Sequence, residues 1–421
     1  MARAACRLAA ASALLALAGC AVQRLAADSA SPDLALVGCK VYPSPEEKPL
    51  ADATVLVRGS RIVAVGPASD VPVPPRAKTI ECGDGVVTAG FWNSHVHIMT
   101  PPLMDAERQP AARISAELGA MFGRWGFTTV FDIASVFPNT ETVRRRIASG
   151  EVVGPRILTV GDPFFPEGGT PVYVRDFFAK HHVPSDEVRT AEEAAARARR
   201  ELRDGADGVK IFSGSFAIRR IVPMPRDIAR AVVAEAHRAG KPAFAHPSNL
   251  EGIEIALDSG VDVLAHPAPL AGTWTPALVG RMKAAHMALT PTLTLFDAEA
   301  EREGIPPAAA KRLMDEAVAQ VRAFASSGGE ILFGTDVGYT SHYDTEEEYR
   351  LMARAGMDYR AILASLTTHP ARRFGDAARR GRVVPGEEAD LVVLAADPAS
   401  DVAAFSRVRF TIRAGQVIYS R

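Results

Sequence analysis

Two rhythms of hydrophobic and polar positions divide this chain. Over residues 34–88 the apolar positions come in short alternating runs. Leu34-Ala35-Leu36-Val37 leads into Cys39-Lys40-Val41-Tyr42, and Ala53 to Arg58 reaches a turn at Gly59-Ser60 with Arg61 to Val65 beyond it. That arrangement predicts a hairpin among short strands. Thr79-Ile80-Glu81-Cys82 predicts another strand before the turn Gly83-Asp84-Gly85. The same style returns near the C-terminus, in Ala389–Leu394, Val408–Ile412 and Gln416–Tyr419. Neither piece has enough apolar surface for its own core, so residues 34–88 and 373–421 are expected to fold together as one small β-sandwich.

Across residues 89–372 the rhythm changes to alternating strand and helix. Eight apolar runs predict strands: Val86–Ile98, Phe127–Ile133, Arg156–Gly161, Gly208–Phe212, Pro242–His246, Val261–His266, Met287–Leu293 and Ile331–Asp336. Helical patterns lie between them. Thr190 and Glu193 form a capping box ahead of Ala194–Arg203. Pro225–Ala239 is amphipathic and stops at Gly240, and Pro307–Ser327 stops at Gly328-Gly329. Eight such units in roughly 280 residues predict an α/β fold of the TIM (β/α)8 barrel type. A doubly wound open sheet would carry a Gly-rich phosphate turn after its first strand, and none is present.

The first twenty residues are of another kind. Arg3 and Arg7 precede an apolar run, Leu8–Ala18, too short to span a bilayer comfortably. A frayed apolar helix or a retained membrane anchor would explain the run alone. Leu17-Ala18-Gly19-Cys20, however, resembles a bacterial lipobox, which implies that 1–20 is a lipoprotein signal segment cut before Cys20, that Cys20 is acylated as the mature N-terminus, and that 21–33 is a polar tether. The chain is therefore expected to be an exported lipoprotein, on the periplasmic or cell-surface side, touching a membrane only through Cys20. With 48% hydrophobic and 23% charged residues and a net charge of -1, the remainder reads as globular and offers no surface for nucleic acid. A homo-oligomer stays open. With Cys6 leaving in the signal and Cys20 carrying lipid, Cys39 and Cys82 are the two cysteines that remain. An oxidising compartment permits a disulfide, but the reading favours two separate buried thiols.

The chemistry gathers at strand ends. In Phe91-Trp92-Asn93-Ser94-His95-Val96-His97, residues i and i+2 of a strand face the same way, so His95 and His97 point together. Two hydrogen-bonded core histidines would give the same motif. His246, His266 and Asp336, however, each close an apolar run at its C-terminal edge, the face where barrel enzymes place reactive groups. Imidazoles and a carboxylate are suitable donors for Zn²⁺ or a similar metal. Lys210 sits in the apolar run Asp207–Phe212, where an unpaired ammonium is costly to bury. A snorkelling lysine is the ordinary explanation. Beside metal ions its amine must be neutral or converted by CO₂ to a carbamate, an anion whose two oxygens can bridge two metals.

These residues resemble the amidohydrolase superfamily, in the binuclear branch that includes imidazolonepropionase-like proteins and Xaa-Pro or Xaa-Arg/Lys dipeptidases. The resemblance runs from about Leu34 to the C-terminus, through Ala89–His97, the Val209-Lys210 strand, Gly260–His266, Gly334-Thr335-Asp336 and Gly386–Leu394. It implies one divalent metal on His95, His97 and Asp336, and a second on His246 and His266, with carboxylated Lys210 shared between them. It also implies a metal-bridging hydroxide as nucleophile and Asp336 as the catalytic acid–base. The implied function is hydrolysis of an amide or peptide-like C–N bond in a dipeptide or N-acyl amino acid. A lactonase or phosphotriesterase on the same metals is the enzyme alternative, and a lipid-anchored binding protein the non-catalytic one. Deaminases and true imidazolonepropionases carry Glu three residues after the fifth-strand His, whereas this chain has Asn249. Two loops could contact substrate: Gly161–Arg175, where Arg175 could clamp a carboxylate, and the segment holding Tyr339, His342 and Tyr343. His181, His182, His237, His286 and His369 read as solvent-facing or structural.

Overall fold

The computed structural model describes residues 34–181, 187–217 and 220–421. The leader, Cys20, the tether and His182 lie outside the described residues. Among those described, no helix is long and apolar enough to cross a membrane.

Strands from both ends of the chain meet in one eight-stranded sheet. From the N-terminal end come Leu34–Val41, Leu50–Arg58, Arg61–Pro67, Lys78–Glu81 and Val86–Ala89, and from the other Leu391–Leu394, Val408–Arg413 and Gln416–Ser420. The join is antiparallel, Val87 opposite Val393. Leu36, Val55, Val87, Leu391 and Val393 share one apolar cluster beneath it. Cys39 and Cys82 form a disulfide here, with Cα atoms 5.0 Å apart, so the expectation of two separate thiols is corrected. Leu34–Val41 runs parallel to Lys78–Glu81, with Val37 opposite Glu81, and Cys82 N–H donates to Val37 O at 3.0 Å. That pairing, which a 43-residue separation conceals, brings the two sulfurs together.

The expected strand Val86–Ile98 is two strands. Val86–Ala89 belongs to the sheet above, while Phe91–Val96 starts a parallel sheet with Phe127–Asp132 and Arg156–Thr159. Gly90 is the pivot: its N–H donates to Asp390 O at 2.7 Å, and a Cβ there would lie 2.3 Å from Thr128 Oγ1. A second parallel sheet holds Val209–Ile211, Ala243–Ala245, Val263–Leu264 and Ala288–Leu289. Contacts link the two sheets at both margins. Phe164 bridges Ile211 on one side, while on the other Leu289 bridges Ile331 and Val96 bridges Val337, all in parallel. Ser94 N–H donates to Phe333 O at 2.7 Å beside that last bridge.

Side-chain direction follows the period of two. Val209, Ile211, Ala243 and Ala245 join the cluster packed under the helices. On the opposite face Trp92, Phe131, Leu158, Phe244, Val263, Ala288 and Leu332 belong to a separate cluster to which each of these seven segments contributes. Lys210 lies opposite Phe244 in register and so faces this second cluster.

The helices answer the pattern closely. Thr190 Oγ1 accepts from Glu193 N at 3.1 Å and caps Ala191–Arg203, and helices Arg226–Arg238 and Pro307–Ser326 fall on the predicted stretches. Two helices were not foreseen: Val172–His181, beginning inside the expected loop, and Thr294–Arg302, directly after the seventh apolar run.

Candidate metal centre

The four histidines lie at or just past the C-terminal ends of their strands, while Lys210 is the middle residue of Val209–Ile211. His95 is in Phe91–Val96 and His97 directly follows it, while His246 follows Ala243–Ala245 and His266 follows Val263–Leu264 within two residues. Asp336 sits just before the bridge at Val337, with φ 60°. All six residues, His95, His97, Lys210, His246, His266 and Asp336, line a single small cavity of about 50 Å³.

Inside it, His97 Nε2 is 2.8 Å and His95 Nε2 3.2 Å from Asp336 Oδ1, and His266 Nε2 is 3.9 Å from Oδ2. The rings of His95 and His266 are 4.5 Å apart and those of His246 and His266 4.9 Å. One donor atom each from His95, His97 and Asp336 falls within 4.8 Å of the others, a grouping fit for one ion. Outward-facing partners fix the rings. His95 Nδ1–H donates to Ala265 O at 3.0 Å, His97 Nδ1–H donates to Ala134 O, and His266 Nδ1 meets Thr292 Oγ1 at 2.7 Å. The carbonyl partners leave His95 and His97 each with an inward Nε2 lone pair, the orientation that metal-bound imidazoles take, and the Thr292 hydroxyl can accept from His266 in the same way. His95 Nε2 and Asp336 Oδ1 are buried and have no hydrogen-bond partner, since an Nε2 without a hydrogen and a carboxylate oxygen are both acceptors. Buried polar atoms in that condition are costly unless something else satisfies them.

The electrostatics agree. Burial lowers His95 to about 4 and His246 to about 3, and sends His266 well below its ordinary value, so all three are neutral donors at pH 7. Burial opposes ionisation of Asp336, but His95 and His97 beside it hold its carboxyl well below the usual range. Lys210 is 1% exposed, and its Nζ has no ion pair or hydrogen bond with a described residue; it lies over the Phe212 ring, 5.3 Å from its centre. Burial lowers that amine to about 8 against the pull of Asp336 and Asp132.

The substrate-contact expectations divide. Phe165, Tyr173 and Tyr339 line the cavity. Arg175 does not line it: its Nε donates to Thr170 O at 3.2 Å, because the helix beginning at Val172 turns it away, and the carboxylate clamp is withdrawn. Tyr343 donates to Glu117 at 2.7 Å, and neither it nor His342 reaches the cavity. His237 pairs with Asp262 at 2.9 Å, His369 with Ile331 O at 3.0 Å, and His286 is exposed, all away from the site.

Three carboxylates escaped the sequence reading. Asp132, at the end of the second strand, accepts from Ser135 Oγ at 2.5 Å and Thr140 Oγ1 at 2.9 Å. Ser135 Oγ in turn accepts from Ile98 N at 2.8 Å, so this network carries Ala134, the partner of His97. The strand-end criterion that found Asp336 would have found Asp132. Glu348 accepts from Leu293 N and Thr294 N, both at 2.8 Å, and fixes the turn behind Thr292. Glu299, on helix Thr294–Arg302, lines the cavity itself.

The profile of the amidohydrolase family matches residues 86–418, and the chain belongs to that family. An imidazolonepropionase of Thermoplasma acidophilum is 23% identical over 395 residues, 87% of this chain and 89% of its own. Among solved structures, a putative prolidase from Bifidobacterium longum superposes with a TM-score of 0.77 at 25% identity, covering 92% of this chain and 95% of that one. A Xaa-Pro dipeptidase with methionine bound in its active site superposes at 0.78 with 21% identity, covering 92% of this chain and all of that one.

Proposed function

We propose that this protein hydrolyses an amide or peptide-like C–N bond in a dipeptide or N-acyl amino acid, at a site for two divalent cations. The observation that carries the proposal is the convergence of four imidazoles, one carboxylate and an unpaired buried amine on one cavity, with His95 Nε2 and Asp336 Oδ1 unsatisfied. That donor set suits zinc. His95, His97 and Asp336 would hold one ion, and His246 and His266 the other. His246 Nε2 meets Ser248 Oγ at 3.1 Å, so Nδ1 would be its donor. Lys210 would serve both ions as a carbamate: its neutral Nζ adds to the carbon of CO₂, one proton leaves to solvent, and an anion with two donor oxygens results.

When bound, the ions would supply a shared hydroxide at neutral pH, lowering the pKa of water from about 15.7 to about 7, and polarise the scissile carbonyl. The chain's residues do the rest. Asp336 takes the nucleophile's remaining proton as the new C–O bond forms and delivers it to the amine nitrogen as the C–N bond breaks. Ala265 O and Ala134 O hold His95 and His97 in one tautomer throughout, and Thr292 Oγ1 orients the His266 ring. Phe165, Phe212 and Leu295 provide apolar walls that exclude bulk water. Asn249, three residues after His246, accepts from Gly252 N at 2.9 Å and caps Leu250–Ser259. It offers no acid for ring protonation, which favours amide hydrolysis over deamination.

The parallel bridges at both margins and the shared inward cluster support closure of the strands as a (β/α)8 barrel over 89–372, with 34–88 and 373–421 as its companion domain. The lipobox-like Leu17–Cys20 supports export and a lipid anchor. Metal-loaded protein should cleave members of a dipeptide and N-acyl amino acid panel and lose that activity with a chelator. Turnover confined to lactones or phosphotriesters, or indifferent to chelation, would overturn the reading.

A further inference from the structure

Two spaces meet at the mouth of the metal cavity and share a wall. The inner one, with the six ligands, has about 50 Å³ free. That is room for a few water molecules, well short of the roughly 300–1,000 Å³ that enclose a small-molecule ligand. The outer one is about 520 Å³ and is lined by Val172, Arg302, Glu303 and Gly338 among others. Met99, Tyr173, Phe177 and Tyr339 line both, so these four side chains divide the outer space from the ligands.

The wall is fastened unevenly. The segment that carries Tyr173 and Phe177 is fixed at its root, where Phe165-Pro166 pairs with Glu187-Val188. There the Glu187 carboxylate accepts from Gly168 N at 3.0 Å, Thr170 N at 3.1 Å and Thr170 Oγ1 at 2.6 Å. Beyond the root, helix Val172–His181 reaches over the opening with Arg175, Ala179 and Lys180 exposed. Across the opening it meets rings. Tyr173 packs on Tyr339 at 5.0 Å, and the Arg302 guanidinium lies 5.6 Å from the Tyr173 ring and 4.8 Å from the Tyr339 ring. Glu299 holds both partners on the far side, 3.6 Å from Arg302 and accepting from Tyr339 O–H at 3.3 Å. One cation thus joins rings from two different loops, and it lines only the outer space. Ring contacts of this kind are individually weak and readily exchanged.

We propose that helix Val172–His181 is a gate, closed in this structure, whose latch is Arg302 resting on Tyr173 and Tyr339, and that substrate reaches the ligands only when the latch releases. The inference rests on the hydrolase reading for what passes through, and adds an entry step to it. Closure of this kind shuts water out of a reacting centre.

Lys210, at the inner end, reports access without turnover. The metal-free full chain is labelled with cyanate, a small linear reagent, and separately with trinitrobenzenesulfonate, a bulky aromatic one. Peptide mass spectrometry reads both at Lys210 and at exposed Lys48. Both reagents consume the neutral amine, so a change in its protonation cancels in their ratio. In the wild type the bulky-to-small ratio should be at least about tenfold lower at Lys210 than at Lys48, because the open state is the minor one. Arg302→Gln, with a native circular dichroism spectrum, should raise the Lys210 ratio about fivefold or more. Tyr173→Leu should do the same, and Arg302→Lys, which keeps a cation over the rings, should raise it less. A fixed wall would be thinned by Tyr173→Leu but untouched by Arg302→Gln, since Arg302 does not line the inner cavity. An unchanged ratio in Arg302→Gln, or a wild-type ratio at Lys210 equal to that at Lys48, overturns the proposal. If metal-loaded protein cleaves no dipeptide, the hydrolase reading fails, and the labelling, which needs neither ions nor turnover, still decides the gate.

Discussion

Replacing Lys210 tests the centre most directly. CO₂ reacts with the neutral amine, and burial sets how much of that form exists. At its ordinary value of 10.5 a lysine is neutral in about 0.03% of molecules at pH 7, whereas at about 8 the fraction is roughly 9%, a gain near 300-fold. In metal-free protein, carbamate formation should therefore be fast above pH 8 and slow about tenfold for each pH unit below it. Reconstitution with zinc at a fixed CO₂ pressure should follow that profile, read by metal analysis per chain and by a carbamate signal from ¹³C-labelled CO₂. Lys210→Ala would remove the proposed shared ligand and should leave less than two metals per chain. Activity should fall by at least about 100-fold, the upper range for losing even a supporting partner of a ligand. Acetate or propionate should restore part of it by filling the vacated bridge. Two bound metals and an undiminished rate in Lys210→Ala, or reconstitution indifferent to CO₂, would refute the reasoning.

Other expectations follow from the same geometry. Asp132→Asn should disturb the Ser135 and Ala134 segment that aims His97, weakening metal affinity about 10–100-fold in chelator competition while the circular dichroism spectrum stays native; unchanged affinity would reduce Asp132 to a core residue. His95 is neutral in the fold down to about 4, while its exposed value is 6.5, so the unfolded chain binds the extra proton between these limits. Metal-free protein should therefore lose on the order of 3 kcal/mol from this group as pH falls from about 6.5 to 4, seen as falling urea midpoints; a flat profile would contradict it. Cys39→Ser should remove a cross-link closing a 43-residue separation, worth about 4 kcal/mol by chain entropy, and reducing agent should lower the melting temperature of the wild type but not of the variant.

What was legible in the sequence was whatever depends on local period. His95 and His97 share a face because strands alternate, and His246, His266 and Asp336 stood out because each ended an apolar run. Contacts decided by non-local pairing stayed hidden. The Cys39–Cys82 disulfide requires Leu34–Val41 and Lys78–Glu81 to run in parallel register, which no spacing rule reveals. Gly90 split one apolar run between two sheets because Thr128, from another strand, leaves no room for a Cβ. Arg175 was misjudged because a helix begins at Val172 inside a segment rich in turn residues. Glu299 was missed since helix Thr294–Arg302 follows so closely on Ala288–Leu289 that the two apolar patterns merge.

The backbone at the site explains why the strands were shorter than their apolar runs. Ser248, Thr292 and Asp336 are non-glycine residues with φ of 45°, 43° and 60°. Each such conformation costs of order 1–3 kcal/mol, and here each adjoins the ligands: Ser248 bonds His246, Thr292 bonds His266, and Asp336 is itself a donor. A regular strand would carry these side chains onward along the pleat. Breaking it just past the sheet turns them across the opening and lets segments from separate strands meet. The surrounding contacts hold the strained turns in place. Asp336 N–H donates to His95 O at 2.9 Å, Thr340 N–H donates back to Asp336 O at 3.1 Å, and Glu348 accepts both amides that follow Thr292. The ligands can therefore be rigid before any ion arrives, and Glu348, far from the donors in sequence, belongs to the device that makes them so.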